Sequence, residues 1–271
     1  DWHSNELNYE PGEAFQLDVL YSTVLSRFGK FKYHLVCVCI ISGFVFERPL
    51  PSLDTDDFII AMNSIKTQLK LEFNITLKML IPDSASTFKE EHRLTRWKIE
   101  NNCQMSTFAP HLHEYNKAEN SIKLLRNGAV IRLHALKGVL VGGTQVIPEA
   151  FFPEAFRHTA ETLNQGASAF YARTHGKWMS PRQILGSGET PVLHPFGAHV
   201  TIGLSKGMNN PDREANALGN SKSQLKSIAG LFLCSANYHP ALMAGLRSMS
   251  SAILLVTSSG KRITSKNNFC T

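Results

Sequence analysis

Three carboxylates in this chain could hold divalent metal ions: Asp18 in "FQLDVL", Asp83 in "LKMLIPDSASTF" and Glu119 in "APHLHEYNKAEN". Mg2+ and Mn2+ prefer carboxylate oxygen, keep octahedral geometry and leave positions open for phosphate oxygens. Two such ions, about 3.5–4 Å apart, activate an attacking water or hydroxyl and stabilise the leaving oxygen of an in-line displacement. The three carboxylates could hold both ions, with Asp18 bridging. Spacing alone does not select them, because 35 residues separate Asp83 from Glu119 and the same number separates Asp54 from Glu90. Context does. Asp54 lies in the polar "SLDTDD" at a helix start, where capping accounts for it, and Glu90 lies in "KEEH", a solvated face. Asp83 instead ends an apolar strand, and Glu119 opens a helix behind a proline-led loop. Both are edges of a sheet, where side chains converge.

The elements that must position these residues follow from periodicity. "AFQLDVLYS" alternates and predicts a strand with Asp18 near its middle; "KYHLVCVCIIS" and "FVFERPL" predict two more strands, separated by Gly43. "LDTDDFIIAMNSIKTQLKLEF" predicts a helix capped by Asp54 or Thr55, with Phe58, Ile59, Met62, Ile65 and Leu69 on one stripe. "ITLKMLI" predicts a strand that stops at Pro82-Asp83. "STFKEEHRLTRWKIENN" predicts a helix, "CQMSTF" a short strand and "APHLHEYNKA" a loop. The helix from near Ala118 carries Ile122, Leu125, Ala129 and Leu133, with Gly128 its weak point. "PEAFFPEAFRHTAETLNQ" predicts a further helix opened by a proline. From about residue 195 the chain turns to Gly-punctuated strands, "AHVTIGL", "AGLFLCSA", "SAILLVTSSG" and "KRITSKNNF". The order three strands, helix, strand, helix, strand, helix, helix is that of a mixed α/β sheet, and also of the ribonuclease-H-like fold.

At 271 residues and 43% hydrophobic, the chain can bury one large core or one plus a small appendage. The run "HLVCVCIISGFVF" is broken by His34, Ser42 and Gly43 and is too short to span a bilayer, so no membrane partner is expected. The polar, acidic "DWHSNELNYEPG" carries no signal-peptide pattern. Cys37 and Cys39 lie two apart in a strand and read as core residues of a reducing compartment; none of the five cysteines has zinc-ligand spacing. The sequon at Asn74 is read as chance.

Charge is unevenly placed. Residues 1–196 hold 20 Lys/Arg against 20 Asp/Glu, and residues 197–271 hold 8 against 2, so the excess of +6 lies in the last quarter. That suits a polyanionic partner, or a merely solubilising tail. Lys123 and Arg126 follow Glu119 by four and seven positions, on its face of the helix. His111 and His113 flank the same loop as ligand or phosphate-contact candidates. Trp97, Trp178, Phe151 and Phe152 read as core anchors. "GSGET" at 186 lacks the Lys-Ser/Thr ending of a phosphate loop, and no serine sits in a G-x-S-x-G context.

From about residue 11 onward these segments resemble the integrase region of a copia-type LTR retrotransposon polyprotein. "FQLDVL" resembles the strand with the first Asp, "KYHLVCVCIISGFVFERPL" the second and third strands, and "LKMLIPDSASTF" the second-Asp motif, including Phe88. "APHLHEYNKAEN" resembles the loop before the catalytic Glu. "SPRQILGSGETPVLHPFGAHV" resembles the Pro-rich segment beyond the core, and "AGLFLCSANY" and "SSGKRITSKNNF" its terminal SH3-like barrel. The resemblance implies a tail at 1–10, a ribonuclease-H-like integrase catalytic core at 11–190 and a basic SH3-like β domain at 191–271. It implies Asp18, Asp83 and Glu119 as catalytic ligands of Mg2+ or Mn2+, and Lys123 and Arg126 as DNA-binding residues. It further implies element ends and target DNA as partners, a homo-oligomer, and a location in the nucleus and in cytoplasmic particles. The sequence departs from the family at Asp83-Ser84-Ala85-Ser86, where Asp-Asn-Gly-Gly is usual, and at Asn116, where Gly is usual. Lost glycines stiffen both loops. A non-catalytic, nucleic-acid-binding copy is therefore a second reading, and a cellular ribonuclease-H-like nuclease a third.

Overall fold

A computed structural model describes residues 9–22, 31–82, 92–106, 117–138, 140–141, 144–145, 148–186, 193, 195–203, 227–235, 252–257, 262–266 and 269–270. Its first sheet is built from β1 (Ala14–Tyr21), β2 (Tyr33–Cys39), β3 (Val45–Leu50), β4 (Met79–Pro82) and β5 (Gln104–Met105) in the order β3-β2-β1-β4-β5. β1, β2 and β3 form an antiparallel meander, whereas β4 pairs parallel with β1, and β5 parallel with β4. This is the mixed α/β sheet expected from the sequence. The β2–β3 turn closes through Gly43 at φ +72°, a left-handed conformation that glycine adopts without steric cost.

Helices cover both faces. α1 (Thr55–Phe73) and α2 (His92–Glu100) pack on the face that carries Phe15, Leu17, Leu35, Cys37, Phe46 and Leu80. On α1 the predicted stripe holds: Phe58, Met62, Ile65 and Leu69 are buried and Ile59 is half-buried. Each fully buried side chain of this size contributes about 1.5–3 kcal/mol. Asp54 is the N-cap residue of α1, but its carboxylate makes no capping bond; Asp57 instead accepts from both the Ser52 N–H (3.0 Å) and its hydroxyl (2.7 Å). At the other end Asn74 is left-handed, and the Ile75 N–H reaches back to the Leu69 carbonyl at 3.1 Å, closing the helix. The sequon asparagine thus has its own place in the fold.

α3 (Lys117–Ala135) and α4 (Phe152–Gln165, led by a 3-10 turn at Pro148–Phe151) cover the opposite face with Leu20, Val36, Val38 and Val45. Ala118, Ile122, Leu125, Ala129 and Leu133 of α3 are buried, as predicted. Gly128 is not a weak point but a close approach: a Cβ there would lie 2.4 Å from Thr159 Cγ2 of α4. Arg132 straps the two helices, donating from Nε to His158 Nδ1 (2.8 Å) and from a terminal nitrogen to Thr162 Oγ1 (2.7 Å). His34, which breaks the long apolar run, is buried with its Nδ1 2.6 Å from Glu47 Oε1 on the edge strand.

Two further expectations are corrected. The strand predicted from Ile75 begins only at Met79, because residues 75–78 connect the helix cap to β4, with only Leu77 fully buried. Trp178 is not a core anchor: it is 73% exposed in the connection between two short helices that the periodicity did not predict, α5 (Ala169–His175) and α6 (Pro181–Ile184). Trp97, Phe151 and Phe152 do pack in the core. Cys37 and Cys39 are buried side by side on one face as predicted, and burial pushes the Cys37 thiol pKa well up.

A short hairpin, β6 (Leu140–Val141) and β7 (Thr144–Gln145), follows α3. The C-terminal strands β8 (His199–Gly203), β9 (Ser227–Ser235), β10 (Ala252–Thr257), β11 (Arg262–Lys266) and β12 (Phe269–Cys270) form a second sheet. It is antiparallel, in the order β11-β10-β9-β8-β12, so the last strand returns to pair with the first.

Candidate active site

Because successive side chains of a strand point to opposite faces, β1 divides its residues between the two layers. Phe15 and Leu17 join the core under α1, while Ala14, Gln16, Asp18 and Leu20 belong to the α3 side, where Leu20 packs with Ala118, Ile122 and Leu125. Asp18 is half-buried, and its Oδ1 accepts the N–H of Val19 at 2.7 Å. Its neighbour across β2 is Val36. On the other side β4 runs parallel to β1 through the pair Leu17 and Pro82. Asp83 lies outside the described residues, as do His111, His113 and the other candidate of the same spacing, Glu90.

Glu119 occupies the third position of α3, on the same side of the sheet as Asp18. A carboxylate in the first helical turn is favoured by the helix dipole. Glu119, Lys123 and Arg126 form a stripe beside the buried one, at the predicted spacing. Lys123 Nζ lies 3.0 Å from Glu119 Oε1, with the two side chains 63% and 47% exposed. An exposed pair of this kind contributes a few tenths of a kcal/mol, about 0.3–0.5, so either partner can be redirected at small cost. Arg126 is exposed. Asp18 and Glu119 thus offer hard oxygen donors on one side of the sheet, which fit Mg2+ or Mn2+. Among the described residues alone, no group of three His, Cys, Asp or Glu could hold a metal ion.

One contact that the sequence did not reveal ties these two elements together. The side chain of Gln16, fully buried on β1, accepts through Oε1 the backbone N–H of Lys117, the first residue of α3, at 2.5 Å. The Lys117 ammonium is bonded in turn to the carbonyl of Ile40, beyond the end of β2. Among the described residues the amide nitrogen of Gln16 has no partner, and a buried donor left so costs about 1–3 kcal/mol. Periodicity signals only half of this contact: Gln16 shares the parity of Asp18, but its partner is 101 positions away.

Compared with known proteins, the chain is similar to the catalytic core domain of HTLV-2 integrase, solved in complex with magnesium in a dimeric form. The identity is 17% and the TM-score 0.44, and the match covers 65% of this chain and 97% of that one. No protein-family model matches the chain, and no curated protein does. Any role for the site therefore rests on the chain's own residues.

Proposed function

We propose that the chain is a retrotransposon integrase that processes DNA 3′ ends and transfers them into target DNA. The observation that carries this reading is the docking of α3 on β1, which holds Glu119 in the first turn of a helix tied to the strand of Asp18. Asp83 is the third ligand in this reading. It follows Pro82, whose neighbour Leu17 precedes Asp18, and Cα atoms of adjacent residues are about 3.8 Å apart.

Mg2+ or Mn2+ held there would activate the attacking oxygen and stabilise the leaving one. Asp18, Asp83 and Glu119 would supply the oxygens that hold it. Lys123 gives up its weak pair with Glu119 and, with Arg126, holds phosphates beside the ligands. In the same reading the SH3-like domain at 191–271, whose residues 197–271 hold 8 Lys/Arg against 2 Asp/Glu, adds salt-dependent affinity for DNA. The domain division at 190, the homo-oligomer and the nuclear and particle location belong to the same proposal. A strand-transfer assay with Mn2+ should show activity that disappears in Asp83→Asn; equal activity in the variant would reject the assignment.

A second reading is a copy that binds nucleic acid without catalysis. What favours it is the Glu119–Lys123 pair, since the helix dipole and an i,i+4 partner account for Glu119 with no metal at all. Under that reading DNA binding persists in Asp83→Asn and no Mn2+ dependence is seen.

A further inference from the structure

We propose that Gln16 is a positioning residue that fixes Glu119 relative to Asp18, through its hydrogen bond to the first amide of α3; the role rests on the metal-site reading above. The amides of a helix's first turn have no intrahelical partner and are ordinarily capped by a nearby Ser, Thr, Asp or Asn. Here the cap comes from a different element, 101 positions upstream. Gln16 is also an unlikely residue for its place on packing grounds alone. Its cross-strand neighbours are Val38 on one side and Ile81 on the other, it is fully buried, and its amide nitrogen has no partner among the described residues. An apolar side chain would fill the site without stranding a donor. What an apolar side chain cannot supply is the acceptor that registers α3 on β1.

The lever arms are short. Asp18 lies two residues from Gln16 along the strand, roughly 7 Å, and Glu119 lies two residues from Lys117 along the helix, roughly 3 Å of rise. A slip of the helix at this bond therefore passes almost undiminished to the ligand separation, and metal sites tolerate errors of only about 0.5 Å. The Lys117 ammonium on the Ile40 carbonyl and the buried Ala118 hold the same turn, so loss of the Gln16 bond should loosen the docking without unfolding the helix.

The test uses the full chain with Mn2+ as probe. Gln16→Met removes the acceptor while keeping the length of the side chain. Lys117→Pro removes the donor from the other side, proline being tolerated at the first helical position; Lys117→Met controls for the ammonium contact. The expected result for Gln16→Met is Mn2+ binding at least tenfold weaker and turnover in strand transfer reduced at least tenfold. The KM for DNA should be unchanged and the melting temperature equal or higher. The double variant Gln16→Met/Lys117→Pro should be no worse than the poorer single one. Wild-type Mn2+ affinity and turnover in Gln16→Met, or additive losses in the double variant, would overturn the proposal while leaving the integrase reading intact. If the parent chain binds no Mn2+, the integrase reading fails. Amide exchange at residues 117–119 then decides the positional claim: exchange at least tenfold faster in Gln16→Met sustains it, and unchanged exchange overturns it.

Discussion

The side chain of Asn164 in α4 pairs with the backbone of Val45 in both directions, its Oδ1 accepting the Val45 N–H at 2.7 Å and its Nδ2 donating to the Val45 carbonyl at 2.8 Å. Val45 begins β3, the edge of the sheet, so a side-chain amide satisfies backbone groups that a further strand would otherwise take. Asn164→Ala should leave a buried donor and acceptor unpaired and cost about 2–3 kcal/mol. Urea unfolding checks this: a loss under about 0.5 kcal/mol would show that water replaces the amide.

Gly128 makes the second prediction. Alanine is the better helix former by about 1 kcal/mol, yet a Cβ at 128 meets Thr159 Cγ2 at 2.4 Å. Gly128→Ala should therefore destabilise the chain by about 1–3 kcal/mol, and adding Thr159→Ala should recover part of that loss. A Gly128→Ala variant more stable than the parent would show that α3 and α4 are not so closely packed.

The thiols give a chemical prediction. Burial pushes the Cys37 thiol well up and that of Cys103 to about 11, against a pull in the other direction by Lys66 and Lys98. The folded chain therefore keeps protons that the unfolded chain loses above its ordinary thiol pKa. Stability is fully present below that value and falls as pH rises through about 11. At pH 8 both cysteines should resist iodoacetamide until the chain is unfolded, which peptide mass mapping reads directly.

Lys123 separates stability from binding. Lys123→Ala should change unfolding by less than about 0.5 kcal/mol, since its pair with Glu119 is exposed. It should weaken DNA binding evenly across sequences and reduce the salt slope by about one. A changed stability with unchanged salt slope would make Lys123 a structural partner of Glu119 only.

Much of this architecture is legible in the sequence. The alternation in "AFQLDVLY" puts Asp18 on the face opposite Phe15 and Leu17, and the stripe from Ala118 to Leu133 orients α3; both arise from local periodicity, which a sequence displays. What it does not display is the partner. Gly128 reads as a weakness when only its own helix is weighed, and becomes a requirement once Thr159 is opposite it. Trp178 reads as core because it is large and aromatic, but the short helices on either side leave it exposed. Residues 75–78 alternate like a strand, yet the left-handed cap at Asn74 delays pairing to Met79. At the site, the identity of Gln16 was visible and its bond to Lys117 was not, because only the fold joins positions 101 residues apart.

Asp18, Asp83 and Glu119 are proposed to share a divalent metal. Anomalous diffraction from crystals soaked in Mn2+ tests it most directly. The expected result is a peak within roughly 2.0–2.3 Å of carboxylate oxygens of Asp18 and of at least one of Asp83 and Glu119. Ordered carboxylates with no peak, in crystals that contain Mn2+ at saturating concentration, would contradict it.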